Sequence, residues 1–340
     1  MQSLEYCARQ AVENCLSVKP GERVVIIYDR AAQKIAVGID VQASLITQFV
    51  DAYCMESYGD RPDNGKHPLK FPSKIRNALE NADVSFLVRG DTKEGERDSF
   101  TFPMMDVVES SQNLRHAHMP GVSEEVFLRG MSADYNKLRS ITERVEKKVE
   151  RARQIRVMTP AGTDFTAELG YKWVSSDGFI EPGKWHNLPG SETFTCPVNL
   201  EGRIVVDGVL GDYFGQRYGL LDESHLIIKA QHGRIVNLSC PRNKALEKDF
   251  LKYIKADENA NRFGELGIGT NVYLERLLGN LLHDEKFPGV HVAVGHPYPK
   301  ETGADWDSKV HCDMVMRECD IYADGEQIMS KGKFASQFID

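Results

Sequence analysis

Residues 23–29 read RVVIIYD, and 84–90 read VSFLVRG. Each is a short run of β-branched and aliphatic residues without polar alternation. That is the pattern of a strand buried on both faces of a parallel sheet rather than half-exposed at the surface. Upstream of the first run, an amphipathic opening helix ends at the turn Pro20-Gly21-Glu22. Downstream, AAQKIAVGIDVQASLITQFV places Ile35, Ile39, Ala43, Leu45, Ile46 and Val50 at helical intervals. The strand-like AYCMESY and the helical PSKIRNALENA then lead into VSFLVRG. This alternation predicts βαβαβ units, with a parallel sheet covered by helices through right-handed crossovers. The first strand runs into DRAAQKIAVG, which matches neither GxGxxG nor GxxxxGK[ST]. No glycine loop brings backbone amides against a pyrophosphate there, so no nucleotide cofactor is expected.

The chain has 340 residues, 41% of them hydrophobic and 27% charged, which suits two soluble domains with sizeable cores. Fifty acidic residues against forty-two basic ones give a formal charge of -8 with no segregated basic block, which disfavours nucleic acid and anionic membrane as partners. Glu5, Arg9, Glu13 and Asn14 interrupt the first eighteen residues, so neither a signal peptide nor a transmembrane span is predicted and a cytoplasmic location is expected. Seven scattered cysteines without a CxxC pair fit a reducing compartment and buried thiols.

NLRHAHMPG carries His116 and His118 on one face of an extended segment, where a polar strand end or domain interface is favoured over metal ligation. Tyr135, Leu138, Ile141, Val145 and Val149 then form one apolar stripe in a charged segment, with Ser132 as the expected cap of that helix. The domain boundary is placed near the end of this helix. From Ile155 onward, TPAGTDF, GRIVVDGVL, HLIIKA, GRIVNLS, CDIYA and EQIMS read as mostly antiparallel strands, with Asp324-Gly325 as a tight hairpin turn. The predicted architecture is an α/β domain with a parallel Rossmann-like sheet over residues 1–152. A β-rich α+β domain over residues 153–340 follows it and carries the chemistry.

Polar residues set into apolar runs mark that chemistry. In VHCDMVM, His311 and Asp313 share one strand face while Cys312 and Met314 cover the other. In GVHVAVGHPYP, His291 interrupts an apolar strand and His296 and Tyr298 follow its end. Glu265 stands alone in NRFGELGIGTN, where a buried carboxylate needs either a cation or an ion pair with Arg262 or Lys286. Glu192 sits similarly in NLPGSETFTCP, with a solvated turn as its alternative. Three carboxylates, two imidazoles and a phenol exceed what one structural zinc uses, and no thiolate pair accompanies them. Paired divalent ions roughly 3.5 to 4 Å apart fit such a donor set.

At these residues the sequence resembles the aminopeptidase T / aminopeptidase S family of metallopeptidases. PGERVVI, RHAHMPGVSEE, GMSADY, NLPGSETFTCPV, GELGIGTN, HDEKFPGVHVAVG, HCDMVM and the terminal DGEQIMSKGK carry the resemblance in order along nearly the whole chain. It implies metal ligands Glu192, Glu265, His291, Tyr298, His311 and Asp313, holding two ions of zinc, cobalt or manganese. It also implies an aminopeptidase that removes N-terminal residues from small peptides as a homodimer. Within that implication Glu192 is the candidate general base and Tyr298 the candidate stabiliser of an oxyanion. The chain is shorter than the long-form members, and twelve residues separate Tyr298 from His311, where a trimmed pocket or dimer region is expected. More distantly the sequence is similar to 2,5-dihydroxypyridine dioxygenases, which implies an Fe(II) alternative on His291 or His296 with His311 and Asp313. A catalytically silent metal-binding protein is the third possibility.

Overall fold

A computed structural model describes residues 2–339. The chain forms two compact units: one runs to Tyr135 and takes up Gly178–Gly190, and the other holds Asn136–Asp177 and everything from Ser191 onward.

The first unit is built on a five-stranded parallel sheet in the order Val50–Cys54, Val24–Tyr28, Val84–Arg89, Arg115–Pro120, Trp185–Asn187. RVVIIYD and VSFLVRG are neighbours in it, with Val24 opposite Val84 and Tyr28 opposite Val88. Val25, Ile27 and Leu87 pack with Ile75, Leu79, Phe100 and Met104 from the covering helices. At the carboxyl end of the sheet, where doubly wound folds bind ligands, the Asp29 carboxylate accepts the backbone N–H groups of Ala32, Gly90 and Asp91 at 2.9, 3.0 and 2.8 Å. The amides at these two strand ends are thus engaged by the chain's own carboxylate.

His116 and His118 lie inside this sheet. His116 Nδ1 is 2.7 Å from Ser85 Oγ on the neighbouring strand, and its Nε2 is 3.3 Å from His118 Nδ1. Burial pushes the His116 imidazole down to about 3 and holds His118 well below its ordinary range, so both are neutral hydrogen-bonded groups. Neither joins a cluster of three metal-capable side chains among the described residues.

Two differences from the sequence reading concern the boundary. The helix Tyr135–Val149 belongs almost wholly to the second unit, because its stripe residues Ile141, Val145 and Val149 are buried in that unit's core, so the division falls at 135/136 instead of 152/153. Residues 178–190 return to the first unit and add the strand Trp185–Asn187, which pairs in parallel with Arg115–Pro120, His116 opposite Trp185 and His118 opposite Asn187. Ser132 ends the preceding helix, Glu124–Met131, and its hydroxyl bonds back to the Leu128 carbonyl.

The second unit contains an eight-stranded and a five-stranded sheet. Asp324 and Gly325 both have left-handed φ, +48° and +87°, and join Asp320–Ala323 to Glu326–Ser330 as a tight hairpin. The five-stranded sheet is antiparallel, in the order His311–Met316, Gly289–Gly295, Phe263–Gly269, Glu192–Thr195, Val174–Ser176. Among the described residues the seven cysteines are free, and six of them are buried. No helix of the described residues is long and apolar enough to cross a membrane.

Candidate metal centre

The register of the five-stranded sheet gathers the polar residues on one face. Glu265 pairs with Ala293 and Ala293 with Asp313; Gly267 pairs with His291 and with Phe194; Gly295 pairs with His311; Gly269 pairs with Glu192. Residues directly opposite each other project to the same side. Glu192, Glu265, His291, His311 and Asp313 therefore share a face, while Leu266, Ile268, Val290, Val292, Val294, Cys312, Met314 and Met316 point the other way into the apolar core. Burial of those eight side chains fixes the register, since a one-residue slip would turn the acidic face into the core.

Glu265 reaches this face through a bulge. Phe263 pairs with Val294 and Glu265 with the adjacent Ala293, so Gly264 is an extra residue and Phe263 stays with the core while Glu265 turns to the opposite side. Only glycine fits at the bulge: a Cβ on Gly264 would lie 2.1 Å from the Gly295 carbonyl oxygen. Small residues also make room above the sheet. A Cβ on Gly267 would lie 1.9 Å from His291 Nε2, so the imidazole occupies the volume a side chain would take.

The Glu265 carboxylate divides between two groups. Its Oε1 is 3.1 Å from His291 Nε2, and that nitrogen is 3.4 Å from Glu192 Oε2. Its Oε2 is 3.5 Å from His311 Nε2, which is 3.3 Å from Asp313 Oδ2. Glu192, Glu265 and His291 form one set of converging donor atoms within 4.8 Å; Glu265, His311 and Asp313 form the second. The backbone carbonyl of His296 accepts a hydrogen bond from His311 Nδ1–H at 2.9 Å, which leaves Nε2 to face the carboxylates, the usual orientation of a ligating histidine.

Tyr298 stands beside the second set. Its ring centroid is 5.1 Å from that of His311 and 5.4 Å from that of Phe194, and its backbone is left-handed at φ +52° where the chain turns into Pro299–Thr302. Burial and the carboxylates Glu265, Asp313, Glu285 and Glu192 hold the phenol well above its ordinary range, so it carries its proton. His296 turns to Asp307 through Nδ1 and belongs to neither set.

The sequence pattern does not mark Lys286 or Glu285 as site residues and offers Lys286 only as an alternative ion-pair partner for Glu265. Lys286 is fully buried and its ammonium donates to Glu192 Oε1 and, at 2.7 Å, to Glu285 Oε1. Four titratable residues in HDEK immediately before the apolar FPGVHV were the available signal. Burial, with Glu192 and Asp313 nearby, pushes the Glu285 carboxyl up to about 8 against the pull of Lys286.

Burial alone would depress both histidines, yet the surrounding carboxylates outweigh it. The hydrogen bond to Glu265 with the charges of Glu192, Glu265 and Asp313 lifts His291 to about 9, and Asp313 with Glu265 lifts His311 to about 10. Burial raises the Glu265 carboxyl, whereas at Asp313 the facing His311 and His291 prevail over burial and lower it. Glu192 Oε2 is buried without a hydrogen bond, an arrangement that is costly unless a cation meets it. The donor set is hard and borderline oxygen and nitrogen, the Gly267 cradle leaves the imidazole free to approach, and one carboxylate oxygen, 3.4 Å from His291 Nε2, accepts no hydrogen bond. These features fit divalent metal.

The sequence profile of the thermophilic metalloproteases, M29, matches residues 131–334, a span that contains all six implied ligands. The chain belongs to the M29 metallopeptidase family. It is 26% identical over 220 residues to a 2,5-dihydroxypyridine 5,6-dioxygenase of Pseudomonas putida KT2440, a match spanning 61% of this chain and 61% of that relative. Two solved structures share its fold. The 2,5-dihydroxypyridine dioxygenase of P. putida KT2440 superposes with a TM-score of 0.69 over 99% of this chain and 98% of that one. Wild-type AmpT from Thermus thermophilus superposes with a TM-score of 0.70 over 98% of each. Both are 18% identical to this chain, a level that speaks for architecture alone.

Proposed function

We propose that this M29 member is a metal-dependent hydrolase of the aminopeptidase kind, with two divalent ions held by Glu192, Glu265, His291, Tyr298, His311 and Asp313. The observation that carries it is the division of Glu265 between two donor sets, one oxygen to each. Metal ions bound there supply Lewis acidity and make water a nucleophile at neutral pH. The protein supplies position and proton transfer. Glu265 holds the two sets at a fixed separation, and the sheet register holds the flanking ligands. Glu192 is the base when its Oε2 is not taken up by metal, since Lys286 already holds Oε1. Tyr298 enters either as a ligand through its oxygen or, keeping the proton that burial and the carboxylates hold on it, as the donor for an oxyanion developing beside His311. The substrate is the N-terminal residue of a small peptide, and the acting form a homodimer, the latter on family resemblance.

The Pseudomonas relative favours a second reading, a mononuclear Fe(II) ring-cleaving dioxygenase using His291, His311 and Asp313. Glu192 and Glu265 speak against it, because two further buried carboxylates exceed what one Fe(II) needs.

The test is to strip the protein with chelator, reload it with Zn, Mn, Co or anaerobic Fe(II), and assay aminoacyl amides, dipeptides and dihydroxylated pyridines in parallel. Amide hydrolysis restored by Zn, Mn or Co supports the hydrolase. Oxygen uptake restored by Fe(II) alone replaces it with the dioxygenase.

A further inference from the structure

Lys286 sits where a cation is already required. The loop that carries it passes over Gly269, the residue paired with Glu192, and a Cβ on Gly269 would lie 2.1 Å from the Phe287 carbonyl oxygen and 2.7 Å from that of Glu285. This close passage brings a fully buried ammonium onto Glu192 Oε1 and leaves only Oε2 directed at His291. Among the described residues the second donor set, Glu265 Oε2 with His311 and Asp313, has no ammonium in direct contact, and Lys286 reaches Asp313 only through its more distant field.

We infer that Lys286 is a built-in cation that makes the two metal positions unequal: the Glu265–His311–Asp313 position fills first and tightly, and the Glu192–Glu265–His291 position takes its ion weakly. Two causes act together. The ammonium repels a divalent ion across a single carboxylate, and it commits one Glu192 oxygen so that this residue ligates through the other alone. Glu192 and Glu285 together hold Lys286 in its charged form despite complete burial. Lys286 is on this account a positioning residue that acts through Glu192. The consequence is that the protein holds one ion at low metal and two at high metal, with the second ion under the control of a side chain that touches no substrate.

The inference rests on the two-ion reading above, and its test separates the two. Chelator-stripped wild type is titrated with Mn(II) alone by calorimetry, and the same titration is run on His291→Ala, Asp313→Ala, Lys286→Met and Lys286→Arg. Wild type is expected to show two steps at least about tenfold apart in Kd, the scale on which neighbours outside the ligand set move metal affinity. Asp313→Ala removes the tighter step and His291→Ala the weaker. Lys286→Met tightens the weaker step by about 10- to 100-fold and leaves the tighter one in place, whereas Lys286→Arg, which keeps the charge, preserves the inequality. Two equal steps in wild type, loss of the tighter step in His291→Ala, or an unmoved weaker step in Lys286→Met overturns the inference while leaving the two-ion centre standing. If Lys286→Met does not fold, Lys286→Gln, which also removes the charge, is titrated in its place, and an unmoved weaker step there overturns the inference in the same way. Unchanged binding in both His291→Ala and Asp313→Ala overturns the centre and the inference together.

Discussion

Gly267 lies directly across the strand pair from His291, and the imidazole fills the place where a Gly267 side chain would stand, 1.9 Å from a would-be Cβ. Gly267→Ala therefore displaces His291 from Glu265 and Glu192 without altering any ligand. The expected result is loss of the ion at the Glu192–Glu265–His291 position, and a fold weakened by about 1–3 kcal/mol, the usual range for one methyl group too many in a packed site. Metal per chain and a urea denaturation midpoint, measured on one preparation, check this; full metal content would show that the imidazole does not need this place.

His311→Ala and Asp313→Ala should each abolish metal-dependent activity and leave the fold nearly intact. Both side chains are borne by a strand whose backbone pairing with Gly289–Gly295 survives truncation. Affinity at that position should fall by more than the about 10- to 100-fold typical of a lost outer partner. Near-wild-type circular dichroism with full metal content in either variant would remove that residue from the site.

Metal uptake should expel protons. In the metal-free protein the His291 and His311 imidazoles are lifted to about 9 and about 10, above their ordinary value of about 6.5, so both carry protons at pH 7.5. A ligating imidazole must give its proton up, and affinity therefore rises with pH through that range. Calorimetry of Zn(II) binding at pH 7.5 in buffers of different ionisation enthalpy should report net proton release, and a heat independent of buffer would contradict it.

The first unit should lose stability in acid. His116 is held neutral at about 3 by burial, below its unfolded value, so the unfolded chain binds the extra proton. The contribution of His116 is intact above about pH 6.5 and falls by about 1.4 kcal/mol per pH unit from there towards pH 3. His118, buried beside it, acts in the same direction. Imidazole NMR should show His116 still neutral at pH 5, with a denaturation midpoint lower than at pH 7; a midpoint of protonation near 6.5 would contradict the burial argument.

How much of this was legible in the sequence follows from which forces are local. RVVIIYD and VSFLVRG announce buried parallel strands by their own composition, and the structure pairs them. VHCDMVM declares a two-faced strand through its period of two, and Glu265 among glycines declares a carboxylate without room for bulk. The bulge at Gly264 is not visible that way, because naive alternation from Phe263 would put Glu265 in the core. Lys286 is not legible as a site residue because HDEK reads as a charged loop until tertiary contact lays it over Gly269. The boundary moved for the same reason: the stripe of Ile141, Val145 and Val149 shows that a helix has an apolar face, and only the packed core shows which unit covers it.

The central claim is a two-ion centre bridged by Glu265. The most direct measurement is anomalous scattering from crystals of the protein saturated with Zn(II), collected at the metal edge for wild type and Glu265→Gln. Wild type should show two peaks on either side of the Glu265 carboxylate, roughly 3.5 to 4 Å apart, and Glu265→Gln should keep only the peak at His311 and Asp313. A single wild-type peak, or two peaks undiminished in Glu265→Gln, would contradict it.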